Sequence, residues 1–226
     1  MFTSLLNVFF PKTCAGCSVL LKTNEKILCT TCRHEIPTTQ HLLQQENEAL
    51  QKFYGRIEVV YAASLFYFHK KGIVQNMIHQ LKYKAREDIG LELAHWFKKE
   101  LLHSSCFQTI DAVVEVPLHP RKQKERGYNQ VSLFAKTISQ ILQKDYCPQL
   151  LVRTRYSNTQ TKKTIWARNE MDRAVFVAQL DKQYYGKHIL LVDDILTTGA
   201  TLEACCRALL EIPDVKISIL TMAIAE

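Results

Sequence analysis

The chain has 226 residues, 47% of them hydrophobic, with only 7 glycines and 6 prolines; that is enough for one substantial core with a small appended module, and it excludes a disordered or low-complexity protein. No apolar run approaches the ~18–20 residues of a membrane helix, and the N-terminus lacks the basic region and small-residue cleavage site of a signal peptide, so no membrane insertion is expected and the cytoplasm is the expected compartment. The net charge of +7 is unevenly placed: from Arg121 to Arg173 twelve Lys/Arg outnumber four Asp/Glu, so one segment carries the whole excess and predicts an anionic partner, a polyphosphate or a nucleic acid.

Phe2 to Phe10 is a short apolar stretch closed by Pro11. Cys14-Ala15-Gly16-Cys17 and Cys29-Thr30-Thr31-Cys32 then form two C-x-x-C pairs separated by eleven residues. Two such knuckles can set four thiolates at the corners of a tetrahedron with Zn–S distances of ~2.3 Å. Four thiolates leave no open coordination position, so the site is expected to be structural. A module this small cannot bury enough surface alone, so the metal would supply much of its folding energy. Zinc is the first choice, and an iron–sulfur cluster fits the same ligands. His34 lies near Cys32, but the complete cysteine set makes it unnecessary. Cys106, Cys147, Cys205 and Cys206 lack such spacing and read as core or incidental residues. Residues 38–52, polar and Gln-rich, read as a connecting helix or linker. This divides the chain into a zinc-ribbon-like module, 1–50, and a larger domain, 51–226.

Glu58 to Phe68 is rich in β-branched and aromatic residues and predicts a strand. Ile73, Val74, Met77, Ile78 and Leu81 have helical spacing, followed by the basic pair Lys82 and Lys84, and a second helix is predicted from Ile89 to Leu102. Asp111 to Val116 predicts a strand stopped by Pro117. A basic turn follows, with Arg121, Lys122, Lys124, Arg126 and Gly127, and then a helix from Tyr128 to Lys144. Leu150 to Thr154 and Ala174 to Ala178 read as short strands, with a polar, basic stretch at Tyr156 to Asn169 between them that reads as a loop or a short irregular helix. A helix at Leu202 to Leu210 and a strand at Val215 to Ile224 close the pattern. Strands alternating with helices predict an α/β fold with a mostly parallel sheet flanked by helices.

The most informative stretch is His188 to Thr201, HILLVDDILTTGAT. Its apolar run, Ile189 to Val192, suits a parallel strand buried on both faces. Asp193 and Asp194 then fall at the strand's C-terminal end, where open α/β sheets bind ligands. The Thr/Gly loop offers backbone N–H groups and hydroxyls at a helix N-terminus, a ready phosphate site. Carboxylates beside a phosphate cradle make sense if the ligand also carries sugar hydroxyls, or if a divalent metal lies between.

This segment resembles the signature of type I phosphoribosyltransferases, which bind phosphoribosyl pyrophosphate (PRPP). The resemblance implies that Asp193 and Asp194 hold the ribose hydroxyls and that Thr197, Thr198, Gly199, Ala200 and Thr201 hold the 5′-phosphate. It implies magnesium with PRPP, and a basic group comprising Arg126, Gly127, Arg153 and Arg155 at the leaving pyrophosphate, with the three arginines as catalytic candidates. Lys162, Lys163 and Arg168, with Arg121, Lys122 and Lys124, are candidates for nucleic-acid contact. Hypoxanthine-guanine enzymes place an aspartate where Thr197 stands, and Thr197 cannot act as a proton-accepting base at neutral pH. VPLHPRKQKERGYNQ, the later ARNEMDRAVF run and the LLVDDILTTGATL motif, together with the four cysteines and Lys82-Tyr83, resemble the ComF family. That resemblance implies a phosphoribosyltransferase-like protein that assists the handling of single-stranded DNA in natural competence, alongside competence proteins. An active phosphoribosyltransferase with an unidentified nitrogenous acceptor is the alternative it leaves open.

Overall fold

The computed structural model describes residues 11–154 and 175–225. The Phe2–Phe10 stretch and the basic stretch at Tyr156 to Asn169 lie outside them. The apolar run of the motif forms the first half of β6 (His188–Leu196), in the middle of a five-stranded sheet. β2 (Ala112–Glu115) and β7 (Lys216–Ala225) flank it, with β3 (Asp145–Tyr146) beyond β2 and β1 (Tyr61–Phe68) beyond β7. All four pairings are parallel. Because side chains alternate along a strand, Ile189 and Leu191 enter one core while Leu190 and Val192 enter the other. An all-apolar sequence is what a strand covered on both faces requires.

The first face carries α3 (Ile73–Tyr83), α4 (Asp88–Trp96) and α8 (Ser132–Leu142), whose Met77, Leu93 and Phe134 are fully buried. Two short helices, α5 (Lys98–His103) and α6 (Ser105–Gln108), lead from α4 toward β2. The second face carries α2 (Glu48–Gln51) and α9 (Ala200–Leu209), with Cys205 and Cys206 fully buried. A separate antiparallel pair, β4 (Leu151–Thr154) with β5 (Val175–Ala178), packs against α9 on that face.

Three local expectations are refined. The helix expected from Ile89 to Leu102 is two helices, because Phe97 leaves helical angles and sets its ring edge-on to Phe66 at 5.4 Å. The basic turn contains α7 (Pro120–Arg126): Pro120 opens it, the His119 ring accepts the Arg121 N–H at 3.1 Å, and Gly127 ends it at φ 80°. Residues 38–52, expected as a connecting helix or linker, contain α2, and the start of the segment is tied to the sheet. Thr39 N–H donates to Leu65 O and Tyr67 N–H to Pro37 O, so the chain runs along the edge of β1.

The cysteine segment, with α1 (Thr30–Glu35) in its second knuckle, packs on α3. Asn76 Nδ2 donates to Gly16 O at 2.7 Å and Gln80 Nε2 to Ala15 O at 3.1 Å. Cys14, Ile27, Leu28 and Cys32 belong to the same buried cluster as Met77 and Phe66.

Candidate functional site

β7 stays paired with β6 as far as Leu196, so β6 runs through the acidic pair and does not stop at it. β2 leaves earlier: its last partner is Val192, after which the chain turns at Pro117. The unequal strand lengths open a cleft of about 130 Å³ beside Asp193 and Asp194, with Lys82, Lys122, Arg126, Gln130, Arg153 and Thr201 on its walls. This is the carboxyl edge of a parallel sheet, where ligands bind in such folds.

Asp194 is buried, and its charge is answered there. Gln130 Nε2 donates to its Oδ2 at 2.7 Å and Lys82 Nζ lies 3.0 Å from the same oxygen. Gln130 Oε1 in turn accepts from Arg126 at 2.6 Å, and the Arg126 guanidinium sits over the Tyr83 ring at 5.1 Å. Asp193 accepts the Asp194 backbone N–H at 2.8 Å. Burial, and then the neighbouring Asp194 charge, push Asp193 up to about 8 against the opposing pull of Lys82 and Arg153. The two carboxylates are therefore inequivalent: Asp194 is anchored by a cation, while burial and the Asp194 charge favour the protonated form of Asp193.

Arg153 reaches the cleft from β4 and lies over the Phe176 ring at 5.3 Å. Its Nε is buried with no hydrogen-bond partner among the described residues. A buried unpaired donor on a cation beside two carboxylates fits an absent anionic ligand.

Gly199 caps α9 at φ 79°, and a Cβ there would lie 3.3 Å from the Phe53 ring, so both conformation and space call for glycine. Thr197 and Thr198 are exposed at the loop tip. Arg56 braces the loop from behind, donating to Thr198 O at 2.6 Å and pairing with Glu203 on α9 at 2.9 Å. Arg207 returns a hydrogen bond to Arg56 O at 3.0 Å. No motif contains Arg56, and no local spacing marks it. Arg56→Ala is expected to cost about 1 kcal/mol, little because the pair is partly exposed. It should lower Tm by about 2–4 °C and speed amide hydrogen exchange at residues 197–201. Unchanged exchange there would remove Arg56 from the loop's support.

Of the residues the sequence singles out, Arg126, Lys122, Arg153, Asp193, Asp194 and Thr201 meet in the cleft. Gly127 lies beside it at the end of α7. Arg121 pairs with Glu125 at 3.0 Å and is exposed, as is Lys124, and neither lines the cleft. Arg155, Lys162, Lys163 and Arg168 lie outside the described residues. Lys82 and Gln130 stand within the quoted motifs, yet nothing in their spacing foretold that both would grip Asp194. Glu115 was likewise unforeseen. Buried at the end of β2, it accepts from Asn129 at 2.9 Å, Ser132 at 2.8 Å and Tyr146 at 2.6 Å. Asn129 also donates to Val116 O at 3.0 Å, which ties the β2 turn to the segment carrying Gln130.

The four cysteine sulfurs lie within 4.8 Å of one another. A tetrahedron of ~2.3 Å Zn–S bonds has edges of ~3.8 Å, and Cys17 Sγ and Cys29 Sγ are 3.7 Å apart. Burial pushes the Cys14 thiol up, but N–H groups of Cys29, Cys17 and Gly16 outweigh it and bring it down to about 7. Two of these donors lie close, Cys29 N at 3.2 Å and Gly16 N at 3.4 Å. Backbone donors aimed at sulfur suit thiolates, so the donor set fits a metal. At Gly16 a Cβ would sit 2.8 Å from Ile73 and 3.0 Å from Cys32 Sγ, so only glycine lets the knuckle close against α3. No helix among the described residues is long and apolar enough to cross a membrane.

The model of the phosphoribosyl transferase domain family matches residues 131–225. The DNA utilization protein YhgH of Escherichia coli (strain K12) is 33% identical over 137 residues, 59% of this chain and 60% of that protein. Competence protein F of Haemophilus influenzae (strain ATCC 51907 / DSM 11121 / KW20 / Rd) is 29% identical over 100 residues, 44% of each chain. Competence protein ComFC of Bacillus subtilis (strain 168) is 29% identical over 135 residues, 58% of this chain and 51% of that one. The chain thus spans 60% or less of the length of these relatives.

Proposed function

Because the chain belongs to the ComF family and has the type I phosphoribosyltransferase fold, we propose that it binds PRPP with magnesium at the β6 edge and serves the handling of single-stranded DNA in natural transformation. Asp193 and Asp194 take the ribose hydroxyls, and Thr197 to Thr201 take the 5′-phosphate on the N-terminus of α9. Arg126, Gly127 and Arg153 face the pyrophosphate, and Arg155 is assigned with them. The observation that carries this reading is the hydrogen-bonded chain from Asp194 through Gln130 to Arg126. It couples a sugar-binding carboxylate to a pyrophosphate-binding cation across one small cleft. Magnesium would offset the charge of the pyrophosphate oxygens.

The four cysteines hold zinc, in a module of residues 1–50 docked on a phosphoribosyltransferase-like domain of residues 51–226. An iron–sulfur cluster is the other occupant the ligand set admits. The printed names of the relatives, a DNA utilization protein and two competence proteins, support the DNA role.

The test is a PRPP-dependent pyrophosphate-release assay across nitrogenous acceptors, run with and without single-stranded DNA, beside calorimetry with PRPP and magnesium. PRPP binding without release, together with salt-sensitive binding of single-stranded DNA, supports a binding or regulatory pocket. Release with one acceptor establishes a phosphoribosyltransferase that displaces pyrophosphate. Absence of PRPP binding overturns the reading.

A further inference from the structure

The sugar-phosphate cleft is not the only cleft among the described residues. A cavity of about 850 Å³ lies between the segment leading into the first knuckle and α3, with Lys12, Asn76, His79, Lys84 and Arg86 on its walls. Around the C-terminal end of α3 it gives way to a second cleft of about 330 Å³, which holds Tyr83, Lys122, Arg126 and Tyr128. Lys84 is common to these two. Lys82, Lys122 and Arg126 are common to the second cleft and the one at Asp193 and Asp194. The three clefts therefore abut in series, from the cysteine segment to the acidic pair.

Their lining is cationic. The acidic groups of the outer two are already engaged, Asp88 by Arg86 at 2.8 Å and Glu125 by Arg121 at 3.0 Å. Lys12, Lys84 and Lys122 form no ion pair among the described residues. At the bend between the clefts Tyr83 is 61% exposed, and the His79 ring lies 4.9 Å from it. A basic groove punctuated by exposed rings suits single-stranded nucleic acid, whose phosphates follow the cations while its unpaired bases meet the rings. A duplex keeps its base faces stacked inside and cannot use the rings.

We propose that the three clefts form one path for single-stranded nucleic acid, and that PRPP and the strand compete for its inner end, where Lys122 and Arg126 serve both. This rests on the DNA-handling reading above and adds where the strand lies and how the sugar phosphate regulates it. Each cation at the inner end can neutralise only one anion at a time, so occupancy by one ligand weakens the other, and by linkage the weakening is reciprocal.

The experiment is fluorescence anisotropy with a labelled oligothymidine on the full chain. K12A/K84A should reduce the slope of log affinity against log salt by about 0.7 for each lost phosphate contact, with PRPP affinity and Tm unchanged. Tyr83→Ala should weaken oligothymidine binding about 5- to 150-fold, the range for one base–ring stack. PRPP with magnesium should weaken the strand's binding beyond magnesium alone, and the oligonucleotide should weaken PRPP by the same factor. If wild type binds oligothymidine and both variants match it, the path is wrong while the DNA-handling reading stands. If wild type does not bind oligothymidine, the DNA-handling reading itself fails. An unchanged strand affinity in PRPP overturns the competition. Polyglutamate bound as tightly, and equally weakened by the same variants, would assign the groove to an acidic protein instead.

Discussion

The double substitution D193A/D194A is expected to lower affinity for PRPP with magnesium by about 10²–10⁴-fold, since each carboxylate would lose a charge-assisted hydrogen bond to a ribose hydroxyl, about 1.5–3 kcal/mol apiece. Calorimetry measures it, and retention of full affinity would refute the assignment of the acidic pair. The Asp193 share of that loss should not come from unfolding. Asp193 is held well above the ordinary carboxylate range by burial and by Asp194. A carboxyl raised on folding contributes stability that is present at low pH and is lost as pH climbs from the ordinary carboxylate range to about 8. Above that window the ionised Asp193 opposes folding. Asp193→Asn alone should therefore be at least as stable as wild type near pH 8, with the difference shrinking as pH falls toward 4. A variant less stable than wild type at pH 8 would mean that ionised Asp193 is well solvated in the folded chain. Asp194 behaves otherwise: its removal strands Lys82, which lies 3.0 Å from its carboxylate and is only 22% exposed. The single variants D193N and D194N thus separate a ligand-binding loss from a packing loss.

The second large effect concerns the four cysteines. Structural zinc in small modules binds with about 10–16 kcal/mol of apparent free energy, comparable to the whole stability of an ordinary domain, about 5–15 kcal/mol. Cys14 is fully buried and accepts the Cys29 and Gly16 N–H groups. Cys14→Ser should abolish metal binding, read by elemental analysis, and so should exhaustive chelation of wild type. Damage should not stop at the module, because its buried residues share a cluster with α3 and β1. We expect Tm to fall well beyond the ~2–4 °C that 1 kcal/mol brings in a chain of this size. Chelation that removes the metal while leaving Tm in place would show a module that folds without it. Visible absorbance in the purified protein would identify an iron–sulfur cluster in place of zinc.

Much of this protein is written locally. Two C-x-x-C pairs at short spacing bring four sulfurs together through turns that the intervening residues themselves favour, and the sulfurs do meet. The run from Ile189 to Val192 is apolar on both alternating faces, so a strand inside a parallel sheet is its natural fate, and the acidic pair and glycine loop follow by adjacency. Helix ends were less accessible where a tertiary contact set them, as at Phe97, whose ring leaves the helix to meet Phe66.

What the chain alone could not reveal is which side chains meet across elements. Lys82 ends α3, Gln130 precedes α8 and Arg153 lies on β4, yet all converge on the end of β6. Arg56 reaches Thr198 across a sequence separation of 142 residues. The reason is physical. Turn chemistry and strand or helix periodicity act over a few residues, so sequence by itself determined most of the elements, the cysteine set and the Thr/Gly loop after the acidic pair. The cation that answers Asp194, the brace behind the loop and the docking of the cysteine module depend on strand order and register, and only the packed tertiary structure decided them.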